Sequence, residues 1–150
     1  MSHEKTHRLS EQDREFLLMA AKDGMMEVHM GQLGQKQGAS KAVKELSKRL
    51  IEDHTKANHE LLALARDKDV PVSLDGKAVL PPELSSKSGA EFDREFAKLM
   101  ISDHQQDIAE FEKEARSGSD PDVKAWASRT LQTLRAHLEA AKALPELAMK

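Results

Sequence analysis

Apolar residues recur at spacings of three and four through four long stretches of this chain, the period of amphipathic helices rather than the alternation of strands. The first stretch opens at Ser10 and carries Phe16, Leu17, Ala20, Gly24, Val28 and Gly31 on one face before ending near Gly38. Ser10 has the chemistry of an N-cap, although Asp13 stands where a capping box prefers Glu or Gln. A second cap at Ser40 launches Val43, Leu46, Leu50, Ala57, Leu61 and Leu64, with an expected end near Lys68. The third stretch runs from Gly89 through Phe92, Phe96, Met100, Ile108 and Phe111 to Arg116. The fourth follows Asp120-Pro121, a cap with proline at the first helical position. It carries Val123, Trp126, Ala127, Thr130, Leu134, Leu138 and Ala141, and is expected to stop before Pro145.

The connections are unequal. Gly38-Ala39 and Ser117-Gly118-Ser119 leave room only for tight reversals, so the first two helices and the last two form antiparallel hairpins. Between the hairpins, residues 69–88 contain Pro71, Asp75-Gly76 and Pro81-Pro82. About twenty extended residues span the ~40 Å length of such helices. The predicted fold is therefore all-α: a ferritin-like four-helix bundle over residues 10–144, its two hairpins joined by a long crossover, with short tails at 1–9 and 145–150. An up-down bundle with a loose loop is the competing topology. A faint repeat favours two related hairpins, because Asp13-Arg-Glu-Phe16 recurs eighty positions later as Asp93-Arg-Glu-Phe96. The same offset pairs Val43-Lys44 with Val123-Lys124, and Arg49 with Arg129.

Composition narrows the function. With 150 residues the chain is long enough to bury one core, and 3% aromatics fit helices better than sheets. A net charge of −3 offers no basic excess for nucleic acid. No apolar run approaches the ~20 residues of a membrane span. The start, Met-Ser-His-Glu-Lys, lacks the apolar core of a secretory leader, so a cytoplasmic location is expected, or a periplasmic one if a leader has been removed. The absence of cysteine excludes disulfides, thiolate zinc sites and thiol nucleophiles.

The histidines change the picture most. His54 lies four after Leu50 on the second stripe, His104 lies four after Met100 on the third, and His137 lies three after Leu134 on the fourth. On the first helix Glu27 sits between Gly24 and Gly31. Under the eighty-residue offset His104 falls on Gly24, Asp107 on Glu27, His137 on Ala57 and Leu134 on His54, so all occupy one level of the bundle. A buried carboxylate without a partner costs several kcal/mol, and a divalent cation would satisfy it together with the imidazoles. Glu27, His54, His104 and His137 are the expected ligands, with Asp107 as an optional further oxygen. Carboxylate-bridged di-iron sites ask for Glu-x-x-His on two helices. Here Ile51, Ile101 and Leu134 precede the three histidines by three, and the one such motif, Glu4 to His7, lies in the tail, so one ion is expected per chain. Zinc and iron lead, with manganese and copper behind them.

Other arrangements compete. Met25, Met26, His29 and Met30 bring thioethers and an imidazole together, a set suited to Cu(I), though such a stripe more often packs in a core or a dimer. With Leu18, Met19 and Leu33 they make the first helix apolar nearly all round, which asks for a cover from the crossover or from a second copy of the chain. Asp53-His54 and Asp103-His104 suggest dyads, but neighbours on a helix point ~100° apart and cannot orient one another.

The segments Ala20-Ala21-Lys22-Asp23-Gly24-Met25-Met26-Glu27-Val28 and Ile51-Glu52-Asp53-His54-Thr55-Lys56-Ala57-Asn58 resemble a bacterial domain-of-unknown-function family, numbered 4142. So do Met100-Ile101-Ser102-Asp103-His104, Phe111-Glu112-Lys113-Glu114 and Leu134-Arg135-Ala136-His137-Leu138, in order and spacing, over residues 12–143. The resemblance implies a ferritin-like bundle with Glu27, His54, His104 and His137 as polar core positions. It implies no activity, and many members of the family carry the label of predicted outer-membrane proteins.

Two functional readings remain. One is a metal-binding bundle protein with a mononuclear Glu/His3 site, in which an open position could activate water for hydrolysis or peroxide chemistry. The other is a structural or stress-related bundle with a polar core network and no metal, dimerising through the Met-rich face of the first helix.

Overall fold

The structure, a computed structural model, describes residues 9–74 and 79–148, with side chains described as far as Leu144. Glu4, His7, Asp75 and Gly76 lie outside the described residues. The chain forms α1 (Glu11–Gln37), α2 (Lys41–Asp67), a short α3 (Pro82–Ser85), α4 (Gly89–Ser117) and α5 (Pro121–Ala148). The helix starts follow from local chemistry. Ser10 Oγ accepts from Asp13 N–H, Ser40 Oγ accepts from Val43 N–H, and Asp120 Oδ1 accepts from the N–H groups of Asp122 and Val123. At the end of α2, Asp69 adopts φ +59° and Val70 N–H reaches back to Ala65 O at 2.8 Å, a Schellman-type stop.

Two features differ from the sequence expectation. The last helix does not stop before Pro145 but continues to Ala148. A proline removes one backbone bond, and here it falls in the last turn, just beyond Ala141 and Leu144, which are both buried. The crossover also contains α3, whose Leu84 is fully buried.

Long-range contacts fix the topology. Gln37 Nε2 donates to the carbonyls of Ser85 and Lys87, which places the end of α1 beside the start of α4. There Gly89 takes φ +66°, a conformation suited to glycine, as the chain bridges to Gly38 and turns into the helix. At the opposite end Lys68 pairs with Asp120 at 3.1 Å and Asp122 at 2.8 Å, joining the end of α2 to the start of α5. Hence α1 runs antiparallel to α4 and α2 antiparallel to α5, and the crossover returns along the whole bundle. This is the connection found in ferritin-like bundles.

The eighty-residue repeat is visible as symmetry. Asp93 accepts from the N–H groups of Ala39 and Ser40, both at 2.9 Å. Asp13 accepts in the same way from Ser119 and Asp120, the residues eighty further on. Each hairpin thus caps the reversal of the other. The buried seam of α1 is Asp13, Leu17, Ala20, Gly24, Glu27, Gly31 and Gly34, and that of α4 is Asp93, Ala97, Met100, His104, Asp107, Phe111 and Glu114. Both alternate steps of four and three, the spacing of a helix-packing seam.

The core divides in two. Phe16, Leu17, Leu61, Phe111 and Trp126 belong to one apolar cluster, and Met30, Leu50, Phe92, Phe96 and Met100 to the other. Met26 and Leu33 of α1 join Leu80 and Leu84 of the crossover in the second cluster, so the crossover supplies the cover that α1 asks for. Between the two clusters lies a polar layer.

Candidate metal centre

Four buried polar residues make up that layer: Glu27 from α1, His54 from α2, His104 from α4 and His137 from α5. One atom of each of the three imidazoles lies within 4.8 Å of the others. Ring centroids are 5.3 Å apart for His54 and His137, 5.6 Å for His104 and His137, and 6.2 Å for His54 and His104. Three nitrogens ~2 Å from one ion stand roughly 3.3–3.5 Å apart in tetrahedral or trigonal geometry, so the rings must draw inward by about an ångström to share it.

For two of the rings the hydrogen bonds fix which nitrogen is free. His104 Nδ1 donates to Met100 O at 2.9 Å, and a carbonyl can only accept, so Nε2 carries the lone pair. His137 Nε2 donates to Asp53 Oδ2 at 2.7 Å, which leaves the lone pair on Nδ1. His104 Nε2, His137 Nδ1, His54 Nε2 and Glu27 Oε1 are all buried without a hydrogen-bond partner. Glu27 Oε1 lies 3.8 Å from His104 Nε2, beyond hydrogen-bonding distance. Four orphaned polar atoms in one layer are costly in a protein interior, and a cation is the partner that would satisfy all of them once His54 presents its Nε2 lone pair. The outer hydrogen bonds that orient His104 and His137 are also the usual companions of metal-ligating histidines.

Electrostatics point the same way. Burial, with the neighbouring His137 and His104, pushes the His54 imidazole well below its ordinary pKa. Burial, with His137, lowers His104 to about 4. Burial also lowers His137, against the opposing pull of Asp53. The rings are therefore neutral near pH 7, the state in which imidazole ligates. Burial, with the charges of Asp107, Asp103 and Asp23, raises Glu27 well above the usual carboxylate range.

The three histidines read from the sequence thus converge, and Glu27 borders them through His104. Asp107 is buried but stands apart from the triad, in hydrogen-bonding contact with Asp23; burial and Asp23 raise it to about 8. Met30 is buried in the core and Met26 packs against it, while His29 lies outside the cluster. Asp53 escaped the sequence reading. It cannot orient its neighbour His54, yet it orients His137 across the α2–α5 interface. The signal lay in the topology, which sets those two helices side by side.

Paired antiparallel hairpins around a layer of neutral imidazoles define a crossover four-helix bundle with a candidate metal centre at mid-height. The chain belongs to the family described as "Domain of unknown function (DUF4142)", whose model matches residues 1–144. Among solved structures it is similar to "CopM in the Cu(I)-bound form", at 19% identity and TM-score 0.74, covering 87% of this chain and 92% of that one. The same fold appears in "CopM in the Cu(II)-bound form", at 19% identity and TM-score 0.73, covering 87% and 93%. A DUF305 fragment from Deinococcus radiodurans superimposes with TM-score 0.79 at 16% identity, covering 93% of this chain and 99% of that one. At these identities the likeness is one of fold. No curated protein matches the chain.

Proposed function

We propose that this chain is a copper-binding bundle protein whose ion is held by His54 Nε2, His104 Nε2 and His137 Nδ1, with Glu27 as the anionic fourth ligand. The observation that carries this reading is the set of four buried, unpartnered polar atoms in one layer between two apolar clusters. Copper takes precedence over the zinc or iron favoured by the sequence for two reasons. Nitrogen donors rank Cu(II) above the other first-row dications, and the structurally similar CopM carries Cu(I) and Cu(II). Neutral imidazoles without thiolates suit both oxidation states. The ion belongs to the triad and not to the methionine stripe, whose Met30 is committed to packing.

Untagged protein, stripped and titrated with Cu(I), Cu(II) and Zn(II), tests the reading. About one copper per chain is expected, held more tightly than zinc. His54→Ala, His104→Ala and His137→Ala each abolish retention, whereas His29→Ala, and substitution of the exposed His59 of α2 by Ala, do not. Copper lost with His29 alone would move the site to the methionines, and protein that takes up no metal would leave a plain polar core.

A further inference from the structure

All four proposed ligands are buried, so an ion needs a way in. A cavity of about 270 Å³ opens between α1 and α4 under the crossover, and Glu27 is one of the residues lining it. Glu27 is 2% exposed, and its Oε1 lies 3.8 Å from His104 Nε2. The cavity and the centre thus share this one side chain. Outward, the cavity reaches the surface at the exposed Gln106 and at Val79, which is 82% exposed. Asp23 and Asp103 flank the passage, Asp107 lies in its wall bonded to Asp23, and no lysine or arginine lines it. The pocket on the opposite, α2–α5 face differs in both respects. None of the four ligands lines it, and Lys56 and Arg129 balance Asp53 and Glu60 there.

On the copper reading above, we infer that the α1–α4 cavity is the entrance through which copper reaches the histidines, with Glu27 at its inner end. The carboxylates of Asp23 and Asp103 hold no ion of their own. They raise the local concentration of cations at the mouth, because charge of one sign in a low-dielectric cleft focuses the field. Entry from the α2–α5 face would instead meet two fixed cations and a His137 nitrogen that already donates its proton to Asp53. The entrance sets how fast the centre fills and empties, while the four ligands set how tightly it holds.

The chain contains no cysteine, so a single introduced thiol can be labelled alone after folding. Gln106→Cys on the α1–α4 face and Thr133→Cys on the α2–α5 face are each stripped of metal and given a small or a bulky thiol label. Stopped-flow Cu(II) uptake and chelator-driven release then read the route. The bulky label at Gln106 should slow uptake and release alike by about tenfold or more, a barrier higher by ~1.4 kcal/mol, with the equilibrium affinity unchanged. At Thr133 the two labels should give one loading speed. Asp23→Asn combined with Asp103→Asn should slow uptake severalfold at low salt and hardly at all at ~0.5 M salt, where screening is short-ranged. Uptake indifferent to the Gln106 label, or slowed by the Thr133 label instead, would overturn the entrance. So would Asn variants that load at wild-type speed at low salt. Wild type that holds no copper at equilibrium would fail the copper reading and the entrance with it, whereas copper held tightly but loaded without regard to the label fails the entrance alone.

Discussion

At the scale of single residues, the site rests on which atoms are left without partners. The three histidines were legible in the sequence because each falls on an apolar stripe, and a stripe position fixes burial. Asp53 was not, because its role depends on which helix lies alongside α2. Asp53→Ala frees the Nε2–H of His137 and should weaken copper by ~10–100-fold, as loss of an outer-shell partner does. A competition titration against a chelator of known affinity measures this, and unchanged affinity would remove Asp53 from the site. A second residue-scale prediction concerns Glu114. Burial, together with Asp13, raises its carboxyl to about 8, from an ordinary value of 4.5. The folded state therefore holds a proton that the unfolded chain releases, and the stability this gives is present below pH 4.5 and lost as pH rises toward 8. Glu114→Gln mimics the protonated form, so its melting midpoint should gain on wild type from pH 4.5 to 8 and run parallel above. A difference independent of pH would contradict the raised carboxyl.

At the scale of elements, the helix starts were legible because caps are local. Ser10, Ser40 and Asp120 act on groups two or three residues away. Asp13 shows where local reading stops. From the sequence it is an imperfect third residue of a capping box, but its carboxylate serves the reversal at Ser119 and Asp120, more than a hundred residues later. The repeat pairs it with Asp93, and each carboxylate accepts from two backbone N–H groups of the other hairpin. Asp13→Ala and Asp93→Ala should each destabilise the bundle by about 2–4 kcal/mol in urea unfolding, because charge-assisted bonds are lost and buried donors are left unpaired. Losses below about 0.5 kcal/mol, the range of ordinary surface substitutions, would show that the caps do not hold the hairpins together. The small residues of α1 act in a different way. A Cβ at Gly31 would stand 2.7 Å from the backbone oxygen of Ser47. Gly31→Ala should thus cost about 1–3 kcal/mol through overpacking, despite a gain of ~1 kcal/mol in helix propensity. The run of α5 through Pro145 was not legible, because proline is ordinarily read as a stop.

At the scale of the whole molecule, two apolar clusters above and below the polar layer make the fold independent of the ion it is proposed to hold. The crossover was legible from its length, but its part in covering α1 was not, since Leu80 and Leu84 carry no periodic signal. Among the described residues Leu18 and Val79 are the exposed large hydrophobics, and Met19 and Leu33 of α1 are partly buried against the two clusters. No helix among the described residues is long and apolar enough to cross a membrane. A metal bound only by the folded state raises stability by mass action, ~2.7 kcal/mol at a free concentration a hundredfold above the dissociation constant. For a chain of this length that is roughly 5–10 °C in melting temperature, and chelation should remove it while leaving the helices intact. The claim that three imidazoles share one ion is tested most directly by the electron paramagnetic resonance spectrum of the Cu(II)-loaded chain. The account predicts one bound copper with nitrogen hyperfine coupling from imidazole, changed or abolished by His54→Ala, His104→Ala and His137→Ala alike. A copper spectrum untouched by all three substitutions, or no stoichiometric copper at all, would contradict it.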